Sequence, residues 1–320
     1  MEHDIWYDCF METLYKKFPQ RVQLAQALMK LLDVEREAVY RRLRKEVVFP
    51  GHEIVKIASA WNISMDEIIG VNTGQIPFLM RPVSFYNLSE TELDDLQQLV
   101  QYLDLLKNSS DSEYMEVCNR LPHSLISGFE YLNRFYLFKW ANLYGREKKV
   151  VPFSRIIISE TERQIANDYY QAIRNMSILN YVWDFQLFRY LASDIQYYHS
   201  IQLITDEEKK LIKEDLCVLL DNMFEVASMA SFPETKNKVN LYISQLNIDT
   251  NYSYISTEQL NICCIHVFGK FEVYTSDSKM VKNFKTWMQL KKRSSIQISE
   301  VDERSRVEFF TKQRELIDSL

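Results

Sequence analysis

Residues 22–70, VQLAQALMKLLDVEREAVYRRLRKEVVFPGHEIVKIASAWNISMDEIIG, decide how the N-terminal part of the chain folds. With Val39 at the origin of a helical wheel, Leu43 and Glu46 fall beside it, while Arg36, Glu37, Tyr40, Arg41 and Arg44 gather on the other side. One face of this segment packs and the other faces outward. From Arg36 to Lys45 it carries Arg36, Arg41, Arg42, Arg44 and Lys45 against Glu37 alone, in a chain whose formal net charge is -6. A cationic helix on an acidic protein is a directed feature.

The neighbouring elements extend this reading. Val22 to Leu32 carries an apolar stripe of Leu24, Ala27, Leu28 and Leu31, and the short Asp33-Val34 step leads into the helix from Glu35 to Lys45. Two helices joined by so tight a turn make a helix-turn-helix. Ile54, Val55, Ile57, Ala58 and Trp61 form the stripe of a supporting helix. Ser64 and Glu67 make a capping-box pattern opening a last short helix, which Gly70 closes. Upstream, Ile5, Cys9, Phe10, Leu14 and Phe18 supply a preceding helix between Asp4 and Phe18, ended by Pro19.

LAQALMKLLDVEREAVYRRL followed by HEIVKIASAWNISMDEIIG resembles the N-terminal helix-turn-helix of bacterial transcriptional regulators of the repressor-like (Cro/C1-type) superfamily, and most closely those of the Bacteroides and Flavobacterium lineage. The resemblance covers the first quarter of the chain. It implies that Val39 is the buried apolar position of the second helix and that Arg36, Glu37, Tyr40 and Arg41 face a DNA major groove. Lys45 stands where many relatives have glycine, and the helix before the turn is long, two departures that bear on the docking angle.

Bulk properties bound the rest. At 320 residues the chain has room for a second, larger domain, and 47% hydrophobic with 13% aromatic residues suffices to bury its core. No apolar run reaches the length of a membrane span, and the N-terminus MEHDIWYDCF opens with acids where a secretion signal would be basic. Five scattered cysteines, Cys9, Cys118, Cys217, Cys263 and Cys264, are read as reduced thiols of a cytoplasmic protein. Cys263, Cys264 and His266 invite a metal reading, but an alternating strand sends the two cysteines to opposite faces, and no second cluster completes a tetrahedral set. The six glycines form no GxGxxG or phosphate-cradling loop, and neither HExxH nor GxSxG occurs. We therefore expect no metal, no cofactor and no catalytic residues.

Residues 73–84 lie in a stretch (VNTGQIPFLMRPVS, 71–84) that lacks helical periodicity and holds Pro77 and Pro82, and they read as a linker between residues 1–72 and 85–320. Beyond it helical patterning dominates. Ser89 with Glu92 caps a helix carrying Leu93, Leu96, Val100, Leu103 and Leu106, and another helix runs from about His123 to Tyr144. Capping pairs Ser159–Glu162 and Thr205–Glu208 open two more, with a helix holding Trp183, Phe185, Leu187, Phe188 and Leu191 between them. After Pro233, the β-branched and aromatic runs between Lys238 and Tyr274 read as two or three short strands, and helix returns over about Lys279–Leu290 and Asp302–Ile317. The expected fold is mainly α: a helix-turn-helix domain and a larger helical C-terminal domain with a small β element near 238–274.

Two C-terminal features have both a structural and a functional reading. The aromatic cluster Tyr169, Tyr170, Tyr181, Trp183, Phe185, Phe188, Tyr190, Tyr197 and Tyr198 is read first as helix packing and second as a ligand pocket. The cationic run Lys279, Lys282, Lys285, Lys291, Lys292 and Arg293 is read first as a solvated surface and second as an anion contact.

These readings lead to a sequence-specific DNA-binding transcriptional regulator, a homodimer on double-stranded DNA whose C-terminal domain senses a small-molecule or peptide effector or holds the dimer. Arg36 and Arg41 would read guanine edges or phosphates, Tyr40 the backbone or a thymine methyl, and Glu37 a cytosine amine, while Arg44 and Lys45 neutralise phosphates. Arg42, on the packing edge, is expected to brace the fold. The alternative is an interaction scaffold that uses the same module to dock a protein.

Overall fold

The structure is a computed structural model, and it describes residues 5–61, 63–66, 68–69, 76–80, 97–101, 103–104, 111–144, 150–258, 260–267 and 271–320. Glu67, Gly70, most of residues 71–84 and the Ser89–Glu92 helix start lie outside the described residues. The chain divides into two compact units, Met1–Phe78 and Leu79–Leu320.

In the first unit, helices α1 (Ile5–Lys17), α2 (Arg21–Leu32), α3 (Arg36–Leu43) and α4 (Gly51–Ala60) enclose one core. Phe10, Leu14, Leu24, Leu28, Val39, Phe49 and Ile57 are almost wholly buried in it. Val39 sits inward as its place on the wheel requires, whereas Val55 of the α4 stripe is exposed and Trp61 packs against Phe18 with ring centroids 4.7 Å apart. Two left-handed residues set the turns. Asp33 (φ 56°) ends α2, its N–H donating to the Met29 carbonyl at 3.0 Å. Lys45 (φ 61°) ends α3 in a Schellman arrangement, in which the Lys45 N–H donates to the Arg42 carbonyl at 3.0 Å and the Glu46 N–H to the Arg41 carbonyl at 2.9 Å. This backbone geometry is why glycine suits that position, and here a lysine adopts it.

Arg42 is the brace of this unit. Its guanidinium donates to both carboxylate oxygens of Glu53 at 2.8 Å and to the Ala38 carbonyl at 3.0 Å, and it lies over the Phe49 ring. The pair ties α3 to the buried first turn of α4.

The second unit overturns the expectation of a mainly α domain with a small β element. Its eight strands form one mixed sheet in the order β1-β7-β6-β5-β2-β3-β4-β8, with β1 Leu79–Met80, β2 Glu113–Cys118, β3 Ile178–Asp184, β4 Lys238–Ser244, β5 Tyr252–Ser256, β6 Asn261–Val267, β7 Phe271–Thr275 and β8 Ser295–Gln297. β2, β3 and β4 are parallel and all other neighbours are antiparallel. The parallel strands are joined by helical crossovers: α5 (His123–Ile126), α6 (Glu130–Tyr144) and α7 (Glu160–Arg174) lead into β3, and α8 (Leu187–Ser200) and α9 (Asp206–Met229) lead into β4. α10 (Ser278–Arg293) precedes β8, and α11 (Glu303–Asp318) closes the chain. Two of the four expected capping boxes, Ser159–Glu162 and Thr205–Glu208, open their helices, and the pairs Ser64–Glu67 and Ser89–Glu92 reach outside the described residues.

The reason for the miss is physical. From its second residue onward each central strand is buried without alternation, because helices cover both faces. Such strands read as continuous apolar runs that periodicity cannot tell from buried helix. Trp183 accordingly lies in a strand, which ends at Asp184, and the helix begins at Leu187. Tyr114, Cys118, Leu179, Tyr181, Trp183 and Leu241 face the large core beneath α5–α9 and α11, while Met115, Val117, Val182, Tyr254 and Cys263 face α10.

Part of the cationic run on α10 is seated on that second face, while Lys279, Lys282 and Arg293 are exposed. Lys285 pairs with Glu113 at 2.7 Å, and Lys292 donates to the Asn180 side-chain oxygen at 2.9 Å. Asn180 and Asn240, in register on β3 and β4, complete the network with a bond of 3.1 Å, so these lysines have structural partners instead of a solvated surface.

Arg42→Ala leaves the Glu53 carboxylate buried without its partner. We expect a loss of about 3 kcal/mol, with much less lost in Arg42→Met/Glu53→Leu; urea unfolding of the three proteins checks this, and an unmoved midpoint in the single variant would refute the bracing role.

Candidate functional site

Two places in the molecule are candidates for a functional site, one in each unit. The first is the outer face of α3. Arg36, Glu37, Arg41 and Arg44 are exposed, and Tyr40 and Lys45 are half-buried. The guanidinium of Arg36 lies 5.5 Å from the Tyr40 ring centroid, which holds both side chains on one side of the helix. Arg44 donates to Glu46 at 2.6 Å and to Glu37 at 3.0 Å, and Arg41 approaches Glu46 at 3.7 Å. Lys45 pairs with Asp8 of α1. Glu37 meets Arg44, and not Arg41 one turn along the helix.

These pairs are solvated, and exposed ion pairs contribute little, so a phosphate can compete for Arg44 and Lys45. The unit around α3 is close to neutral, with ten Lys and Arg against eleven Asp and Glu in residues 1–78. Any attraction for a polyanion is therefore local to this helix.

The second place is a cavity of about 390 Å³ in the larger unit, between the sheet and α5–α8. Its floor is made of residues in register across the strands. Tyr114, Ile255 and Ile262 form an apolar row, Glu116, Ser253, Cys264 and Tyr274 a polar one, and His266 with Glu272 a further polar pair joined at 3.3 Å. The walls mix aliphatic side chains with the aromatic rings of Phe135, Tyr136, Trp140, Tyr169 and Tyr190. The His123 ring stacks on Tyr136 at 4.8 Å and on Tyr169 at 5.9 Å, and its Nε2 meets the Asn133 side-chain oxygen at 3.0 Å.

Glu116 is the central polar group of this cavity. It is only 2% exposed, and its carboxyl accepts from the Tyr114 hydroxyl at 2.6 Å and the Ser124 hydroxyl at 2.9 Å. Burial pushes its pKa up to about 7, against the lowering effect of those two hydroxyls. Burial likewise raises the Tyr169 phenol and the Cys264 thiol well above their ordinary values, so both are protonated at neutral pH.

Of the aromatic cluster noted in the sequence, Tyr169 and Tyr190 line the cavity. Tyr170, Tyr181, Trp183, Phe188 and Tyr198 are core residues, and Phe185 and Tyr197 are exposed. Sequence reasoning missed Glu116 and His123. The available signal was an acid inside the otherwise strand-like EYMEVC. Cys263 and Cys264 point to opposite faces, the first into the α10 core and the second into the cavity. Among the described residues no group of His, Cys, Asp and Glu is placed to hold a metal ion. Among the described residues no helix is long and apolar enough to cross a membrane.

The carboxyl of Glu116 makes stability depend on pH. Below about pH 4.5 it is protonated in the folded and unfolded chains alike, whereas between there and about 7 the folded chain keeps a proton that the unfolded chain releases. Its contribution therefore falls as pH rises, by on the order of 3 kcal/mol by about pH 8. Glu116→Gln should gain on the wild type over this window in paired urea titrations; parallel pH profiles would contradict it. Comparison with protein-family models, with characterised proteins and with solved structures finds no match to this chain.

Proposed function

We propose that this protein is a sequence-specific DNA-binding transcriptional regulator that acts in the cytoplasm. The observation that carries this reading is the outer face of α3, which offers Arg36, Tyr40 and Arg41 to a partner while Val39 and Leu43 anchor the helix in the core. An α-helix fits the major groove of B-DNA, and arginine is the side chain best suited to the paired acceptors of guanine. Arg36 and Arg41 read bases or phosphates, Tyr40 meets the backbone or a thymine methyl, and Glu37 accepts from a cytosine amine. Arg44 and Lys45 exchange their carboxylate partners for phosphates at the groove wall.

A single module of this size makes few phosphate contacts, so the protein works as a homodimer on two half-sites. Residues 79–320 hold the dimer and sense an effector in the cavity above Glu116. A ligand that changed the spacing of the reading heads would change operator affinity.

The near-neutral charge of the first unit favours a second reading, in which the same face docks a protein. Salt separates the two, because counterion release makes DNA affinity fall steeply with added salt whereas an apolar interface changes little. Selection of fragments from random and genomic DNA by the full chain should recover a two-fold motif. The Arg36→Ala/Tyr40→Ala/Arg41→Ala variant, folded to the same melting temperature, should lose it. No enrichment at low salt by the folded wild type would reject DNA binding and leave the docking reading.

A further inference from the structure

Glu116 poses a problem that its protein neighbours do not solve. It is a nearly wholly buried carboxyl at the edge of a cavity, and among the described residues its hydrogen bonds come from two hydroxyls and no cation pairs with it. An ionised carboxyl held in such a place is unfavourable unless a positive group meets it. The other acids at the cavity are differently placed. Glu272 already faces His266, Asp194 is paired with Lys139, and Glu162 accepts from the Ser159 N–H at 2.7 Å in the capping box of α7.

We propose that the cavity binds a small organic amine, its apolar body lying over Tyr114, Ile255 and Ile262 and its ammonium group meeting the Glu116 carboxylate. Three features specify this class. The floor changes from apolar to polar within one strand register, so a ligand with one apolar and one polar end is oriented along it. Tyr136 and Tyr169 line the cavity and add aromatic surface to it, one face of each ring being taken by His123. The volume, about 390 Å³, is that of a small-molecule site. Arg120 also lines the cavity, but it is only half-buried and water can solvate it, so Glu116 is the group whose environment a ligand changes most. Binding deprotonates the carboxyl and replaces its missing counter-charge.

The inference rests on the geometry of the cavity alone and needs no property of α3. Full-length protein, without DNA, is titrated by calorimetry with phenethylamine, phenethyl alcohol and hydrocinnamate, which share an aromatic body and differ in head-group charge. The amine should bind about tenfold or more tightly than the alcohol, and the carboxylate least. Glu116→Gln, which still accepts from both hydroxyls, should bring the amine down to the alcohol's affinity. Ala166→Phe, which fills the cavity from α7, should abolish binding of all three. Preference for the carboxylate would make Arg120 the anchor and overturn the proposal. So would equal binding of amine and alcohol, an undiminished amine affinity in Glu116→Gln, or no binding to folded wild type. Because no nucleic acid is present, none of these outcomes bears on whether α3 reads DNA.

Discussion

The larger unit depends on one constraint: three adjacent parallel strands must be covered on both faces. Parallel neighbours need long crossovers, and those of β2, β3 and β4 are helical, so the connections that make the sheet possible also provide its cover. The covering is unequal. Many helices pack on the face of Tyr181 and Trp183, and α10 packs on the face of Val182 and Tyr254. The antiparallel arm β5–β6–β7 extends the sheet past the parallel strands. Where the helices bridge from β2 onto that arm, the interior opens into the cavity. Its floor is therefore a continuation of the core with polar residues substituted into it.

The smaller unit solves a different problem. Eight residues of α3 cannot hold themselves in a helix, so their conformation comes from packing and from the two ends. Val39 and Leu43 fix one side, Arg42 reaches across to Glu53, and the Tyr15 hydroxyl donates to the Leu43 carbonyl at 2.9 Å. The ion pairs of Arg44 and Lys45 lie outside this frame, at the solvated end of the helix. Rigidity and availability are thus divided between residues of the same cationic segment.

Legibility in the sequence followed the same physics. Elements with one dry face were readable: Leu24 and Leu28 of α2, Val39 and Leu43 of α3, and the capping boxes at Ser159 and Thr205 all carry local signals. Of the central strands, β4 fell within the expected β element but β2 and β3 were not readable, since Leu179 to Asp184 is buried on both sides and has no period to detect. The expected β element near 238–274 was the visible half of a sheet whose other strands came from segments read as helix or left unread. Of the six residues named on α3 and just after it, Arg36 lies over Tyr40, Arg41 approaches Glu46, Glu37 is tied to Arg44 and Lys45 to Asp8, a division that the wheel could not show because it ignores the neighbours of a helix end. Glu116 left one local signal, an acid in a strand-like run, but its setting was not legible: its hydrogen-bond partner Ser124 and its register neighbour Ser253 are near only after β2 has met α5 and β5.

The cavity also has a place in time. Its walls come from residues that follow β2 directly, but β2 acquires its floor neighbour only when Glu113 pairs with Ser256, late in the chain. During synthesis the helices of the first crossover emerge and collapse long before the strands that complete the site exist. Contacts of such long sequence separation form slowly. The nascent chain must hold Tyr114 and Glu116 without their final neighbours until the antiparallel arm arrives. Closure of β5 against β2 is thus the step at which the vectorially made polypeptide first encloses the cavity.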